Sequence, residues 1–207
     1  MREEEEKHYE ALPPSMSAEE FLSWCDTTAW AEWVDGQVVT LPREPWLYHE
    51  LRDFLMALVR IFVEQHELGI AVSAPFPIWL GQELSIRMPD LFFLTRERRE
   101  QLRETHLEGP PDMIVEIVSP ESGPRDRGEK FYEYEEAGVY EYWLIDPTRH
   151  QAEFYRLQDN GYYQWVFPDA MGVFRSEAVP DFTLKIEWLW QESRPTLVTA
   201  LRELKLI

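Results

Sequence analysis

Two carboxylates lie in apolar, strand-like segments, and a lysine follows close behind them. Asp90 sits in Ile86-Arg87-Met88-Pro89-Asp90-Leu91-Phe92-Phe93-Leu94, and Glu116 sits in Met113-Ile114-Val115-Glu116-Ile117-Val118. Lys130 opens a helix-like run. A carboxylate among aliphatic side chains is costly to bury alone, so such groups are usually paired or bound to a metal. Two of them aimed at one point suit a hard divalent cation, Mg2+ or Mn2+, that keeps several waters and takes phosphate oxygens. On a strand Glu116 and Val118 share one face and Ile117 takes the other. Placed on neighbouring strands, the Asp90 and Glu116 carboxylates would repel unless a cation lay between them. Such an ion polarises a phosphodiester and acidifies a bound water. The Lys130 ammonium would orient that water or stabilise charge growing on the phosphate.

The flanking pattern must supply the scaffold. Ser17-Ala18-Glu19-Glu20 fits a capping box and predicts a helix over 18–24. Asp35-Gly36 between β-rich arms predicts a hairpin. Leu51, Phe54, Leu55, Leu58, Ile61 and Phe62 recur at helical spacing and predict a helix over 49–67, stopped near Gly69. Three strands are expected next, over 70–80, 84–95 and 112–119, with a short helix in the polar run 96–107. Asp126-Arg127-Gly128-Glu129 reads as a second capping box, with Asp126 as N-cap and Gly138 as the C-terminal cap. A buried strand over 140–147, an antiparallel meander over 152–167, and one or two helices over 188–206 broken near Pro195 complete the chain. This order gives an α/β (α+β) domain with a mixed central sheet flanked by helices, plus extra antiparallel strands.

The 207 residues suit one domain, read as 15–207 after a flexible acidic tail over 1–14. No apolar run reaches the ~18 residues of a membrane span. The acidic start is unlike a signal peptide, and the single Cys25 excludes an internal disulfide. A reduced cytoplasmic protein is expected. The net charge of −19 runs against a simple nucleic-acid binder, which usually shows a basic face. Charge local to a cleft matters more than that sum.

The quoted residues also carry a resemblance. Pro89-Asp90 followed by Glu116-Ile117-Val118 resembles the signature of the PD-(D/E)xK nuclease superfamily. More closely, the chain is similar to the Uma-type family of restriction-endonuclease-like proteins. The matching stretches include Glu32 with Asp35-Gly36, His49, Pro111-Asp112, Ser119-Pro120-Glu121-Ser122, Asp126 with Lys130 and Tyr134, and Gly138-Val139-Tyr140-Glu141-Tyr142-Trp143-Leu144-Ile145-Asp146-Pro147. The resemblance implies a restriction-endonuclease-like core and a metal-dependent endonuclease acting on DNA. It makes Asp90 and Glu116 metal ligands, the backbone carbonyl of Ile117 a third ligand, and Lys130 the migrated lysine. Val118 occupies the position where the superfamily usually carries its lysine. The resemblance also allows a homodimer or a higher homo-oligomer.

Glu32 and His49 are secondary site candidates, an accessory acid and a base or ligand, against strand and helix-start roles. Arg125 and Arg127 are the candidate phosphate contacts. Arg96, Arg98, Arg99 and Arg103 alternate with Glu97, Glu100 and Glu104 and read as a solvated face with local ion pairs. Asp112 reads as structural, Tyr134 as core, and the C-terminal Trp and Tyr residues as core or edge strand. Three other functions fit the same residues: an inactive nuclease-fold binding or regulatory module, a hydrolase of a small phosphodiester, and an acidic DNA mimic.

Overall fold

The computed structural model describes residues 15–25, 30–81 and 85–207. The segment 1–14 and Leu84, the expected start of a strand, lie outside them. Helix α1 (Ala18–Trp24) starts at the predicted capping box: the Glu20 N–H donates to Ser17 Oγ at 3.2 Å, and the Ser17 N–H donates to Glu20 Oε2 at 2.7 Å. Strands β1 (Ala31–Val34) and β2 (Gln37–Thr40) form the expected hairpin. Asp35 and Gly36 both take positive φ, 49° and 81°, as a type I′ turn requires. Helix α2 (Trp46–Gln65) begins before His49 and is capped at His66, short of Gly69. Its Leu51, Phe54, Leu55, Leu58, Val59 and Phe62 are buried along one stripe.

Gly69 opens strand β3 (Gly69–Ser73). A Cβ there would stand 2.1 Å from the Leu94 carbonyl oxygen, so only glycine permits this strand approach. The stretch expected as one strand over 70–80 is two, β3 and β4 (Ile78–Trp79). The next is also two, β5 (Ile86–Arg87) and β6 (Leu91–Thr95), and they join different sheets. The break falls at Met88-Pro89-Asp90, where proline lacks the N–H a ladder needs. The polar run after β6 folds as a 3-10 helix, Arg96–Gln101, then β7 (Leu107–Glu108). There follow β8 (Met113–Ile117), α3 (Gly123–Asp126), α4 (Glu129–Ala137) and β9 (Glu141–Asp146). The meander continues as β10 (Gln151–Leu157) and β11 (Tyr163–Val166). A hairpin the sequence did not signal, β12 (Val173–Arg175) and β13 (Thr183–Lys185), precedes a 3-10 turn at Ile186–Leu189 and helix α5 (Leu197–Glu203).

The architecture is α+β with two mixed sheets. The six-stranded sheet runs β11-β10-β9-β8-β6-β3, and the five-stranded one runs β2-β1-β5-β4-β7. In the larger sheet β8 and β9 are parallel and the other neighbours antiparallel. A parallel pair needs a crossover. Here α3 and α4 provide it, and this is what carries Lys130 back over β8. Strand β8 is buried on both faces. Met113, Val115 and Ile117 join the core that α2 covers, and Ile114 and Val118 join a second core with Tyr134 and Val139. Alternation puts Glu116 on that second face, beneath α4. Gly138 caps α4 with φ 86°, as expected. Asp126 is not its N-cap. That position is Gly128, and Asp126 ends the preceding turn α3 with its carboxylate turned inward. No helix among the described residues is long and apolar enough to cross a membrane.

Candidate active site

The register of β6 against β8 pairs Leu91 with Val115 and Phe92 with Ile114, so the chain just before β6 brings Asp90 level with Glu116. Both line one cavity of about 40 Å³ with Glu44, Met88, Ile117, Arg125, Asp126 and Lys130. Asp90 Oδ1 accepts from Arg52 Nη1 at 3.0 Å, and Oδ2 accepts from the Ile117 N–H at 2.7 Å. Glu116 Oε1 accepts from Lys130 Nζ at 2.8 Å and from Tyr134 Oη at 2.9 Å. Its Oε2 receives no hydrogen bond among the described residues.

Burial drives the electrostatics. It pushes the Glu116 carboxyl up, and after the opposing pull of Lys130 the Asp126, Asp90 and Glu32 carboxylates leave it at about 8. Burial also raises Asp90 above the usual carboxylate range, although the Ile117 N–H, Arg52 and Lys130 favour its charged form. Glu44 is pushed to about 7 by burial and by Asp90. Burial opposes the charge on Lys130, but Glu116, Glu32 and Asp126 hold its pKa well above the usual lysine value. Lys130 is therefore an ammonium at neutral pH. Two carboxylates at one cavity, with Glu116 Oε2 unbonded among the described residues, fit a divalent ion. No three His, Cys, Asp or Glu side chains among the described residues converge tightly enough to ligate one ion by themselves. Two carboxylates completed by waters match magnesium, which dehydrates reluctantly.

Glu32, on β1, is fully buried. Its Oε2 meets Arg87 Nη1 at 3.0 Å; its Oε1 accepts from the Met88 N–H at 3.2 Å and lies 3.0 Å from Lys130 Nζ. Burial works against its charge, but Lys130, Arg87 and Arg125 hold its carboxyl below the usual range. It faces Lys130 and does not line the cavity. His49 stands behind Arg52, also off the cavity. A guanidinium only donates, so His49 Nδ1 accepts from Arg52 Nη2 at 2.5 Å. The ring proton is then on Nε2, which donates to the Glu44 carbonyl at 3.1 Å. Arg125 lines the cavity, with Nε 4.0 Å from Glu32 Oε2. Arg127 points elsewhere: its Nε donates to Glu153 Oε1 at 2.8 Å, and it lines a separate pocket of about 290 Å³ with Asp146, Thr148 and Arg149.

Asp112 accepts from the Thr95 N–H at 2.7 Å and from Arg98 at 3.0 Å, a strand-tying role. Arg96 and Arg103 pair with Glu67 and Glu108. Two residues at the site, Glu44 on the cavity wall and Arg52 behind Asp90, escape a reading of the sequence. Glu44 lies in a Pro-rich loop and Arg52 on a helix face, both positions typical of surface. The one available signal was Arg52 falling on the stripe of Leu51, Leu55 and Leu58.

Comparison with known proteins bears on family and fold. The model of the Uma2 family, described as "Putative restriction endonuclease", matches residues 18–187. An uncharacterized protein of Synechocystis sp. is 24% identical over 143 residues, 69% of this chain and 79% of that protein. A crystal structure titled as a "putative nuclease belonging to DUF820" from Anabaena variabilis superposes with a TM-score of 0.69 at 18% identity, covering 84% of this chain and 97% of that one. That likeness shows the fold.

Proposed function

This chain belongs to the Uma2 family, and from that membership we propose that it is an endonuclease hydrolysing DNA phosphodiesters with Mg2+ or Mn2+. The observation that carries this reading is the cavity shared by Asp90 and Glu116, where burial and neighbouring carboxylates push Glu116 to about 8 and burial raises Asp90 as well. Those two side chains would hold the ion, with the Ile117 carbonyl as third ligand. Within a strand the N–H and C=O of one residue point to the same side, and the Ile117 N–H already reaches Asp90. The bound ion supplies Lewis-acid polarisation of the phosphate and an acidified water.

The remaining roles belong to the chain itself. Lys130 stays protonated, so it acts as a fixed positive charge beside the phosphate and not as a base. Tyr134 and Lys130 together fix Glu116 Oε1. Glu32, itself fixed by Arg87, holds Lys130 from behind, and Arg52, backed by His49, holds Asp90; these are positioning residues. Arg125 would take an oxygen of the scissile phosphate, and Arg127 a neighbouring phosphate from its own pocket.

The test is calorimetric titration of Mn2+ into the protein and into an Asp90→Ala, Glu116→Ala double variant, followed by incubation with supercoiled plasmid. Wild-type binding and nicking, both absent in the variant, are expected. Nicking that persists in excess chelator would sink the metal dependence. Hydrolysis of a small phosphodiester with DNA left intact would replace the substrate. Absence of Mn2+ binding, with or without DNA, would favour a nuclease fold used for binding alone.

A further inference from the structure

The buried charges around the cavity pair off, with one carboxylate left over. Arg52 takes Asp90 at 3.0 Å, Arg87 takes Glu32 at 3.0 Å, and Lys130 takes Glu116 at 2.8 Å. Asp126 remains. Its side chain is 2% exposed, it lines the cavity, and its Oδ1 has no hydrogen-bond partner among the described residues. The nearest cation, Lys130 Nζ, is 3.5 Å away and already engaged more closely by Glu116 and Glu32. A buried carboxylate oxygen that no protein group satisfies is suited to accept from a water or meet an ion.

The backbone holds Asp126 in this position. Its carbonyl accepts from Tyr142 Oη at 3.0 Å, and its N–H donates to the Ser122 carbonyl at 2.9 Å. Two residues on, a Cβ at Gly128 would stand 2.7 Å from the Pro124 carbonyl oxygen, so the turn between α3 and α4 is closed tightly by glycine. The carboxylate is not used as a helix cap, the role its sequence position suggests.

We propose that Asp126 is the third carboxylate of the metal centre, accepting a hydrogen bond from a water carried by the ion. The inference rests on the metal-dependent reading above. The role runs through water because, among the described residues, no three acidic side chains are close enough to ligate one ion directly. Outer partners of this kind typically change metal affinity by about 10–100-fold.

The experiment titrates Mn2+ calorimetrically into the full chain, Asp126→Asn and Asp126→Ala, and melts each metal-free protein. Removing an unsatisfied buried charge leaves Asp126→Asn at least as stable as wild type without metal. Its Mn2+ affinity falls roughly tenfold, and that of Asp126→Ala by at least as much. Affinities within roughly twofold of wild type in whichever variant folds would overturn the assignment and leave Asp126 as a countercharge for Lys130. If the wild type itself binds no Mn2+, it is the metal-dependent reading that fails.

Discussion

Lys130 Nζ and Glu116 Oε1 meet at 2.8 Å in a fully buried pair, joining the crossover helix α4 to the central strand β8. The same ammonium lies 3.0 Å from Glu32 Oε1 on the smaller sheet, so one charge ties three elements together. Lys130→Met removes the countercharge of two buried carboxylates. Loss of one partner from such a pair costs about 3–5 kcal/mol. Urea unfolding will show that loss, and adding Glu116→Gln to the same chain will recover part of it.

The pH dependence follows from Glu116 and Glu44. In the fold their carboxyls sit at about 8 and about 7, above the ordinary 4.5. As pH rises through this window the unfolded chain releases protons that the folded protein retains, so metal-free stability declines. An ion requires the deprotonated carboxylate, so Mn2+ affinity climbs across the same window with proton release. Calorimetry at pH 6, 7 and 8, roughly spanning the window, in buffers of different ionisation enthalpy will count those protons. Glu116→Gln will flatten the dependence.

Arg52→Ala leaves Asp90 buried with, among the described residues, only the Ile117 N–H as donor. The metal-free variant will lose about 3 kcal/mol. Mn2+ supplies the missing positive charge, so it will raise the melting temperature of the variant more than that of wild type. Equal shifts would mean that the ion does not reach Asp90.

Glu141 provides the contrast. This buried carboxylate accepts from Trp143 Nε1 at 2.9 Å, Ser176 Oγ at 2.6 Å and the Glu177 N–H at 2.9 Å. Arg156 Nη2 adds a fourth donor at 3.4 Å, and Glu141 does not line the Asp90–Glu116 cavity. Glu141→Ala will destabilise the fold by about 3 kcal/mol or more, since it orphans several buried donors. Mn2+ affinity, measured below the lowered melting temperature, will be unchanged.

How much of this was legible in sequence depended on the range of the forces. The capping box at Ser17 and the turn at Asp35-Gly36 are local, and both read correctly. The Asp90–Glu116 juxtaposition was legible because each acid interrupts an apolar strand, where a charge is costly. The split of 84–95 into strands of two sheets was hidden, since both halves are apolar and only tertiary pairing separates them. Asp126 read as a cap because the capping-box pattern is local, while Lys130 and the cavity that claim its side chain are set by the crossover. Glu44 and Arg52 gave little signal, because their burial is imposed by partners far along the chain.

Strand β8 divides two cores by strict alternation, with Val115 and Ile117 on one side and Ile114, Glu116 and Val118 on the other. A single-residue deletion ahead of it would turn every side chain to the opposite face. Glu116 would then enter the core packed by α2, and an aliphatic residue would face Lys130. Point substitutions can erode this centre step by step, but a frame change within the strand cannot: it removes site and fold together. Lineages carrying such an indel would be expected to keep neither, so length in this strand should be far less free to drift than length in the loops around it.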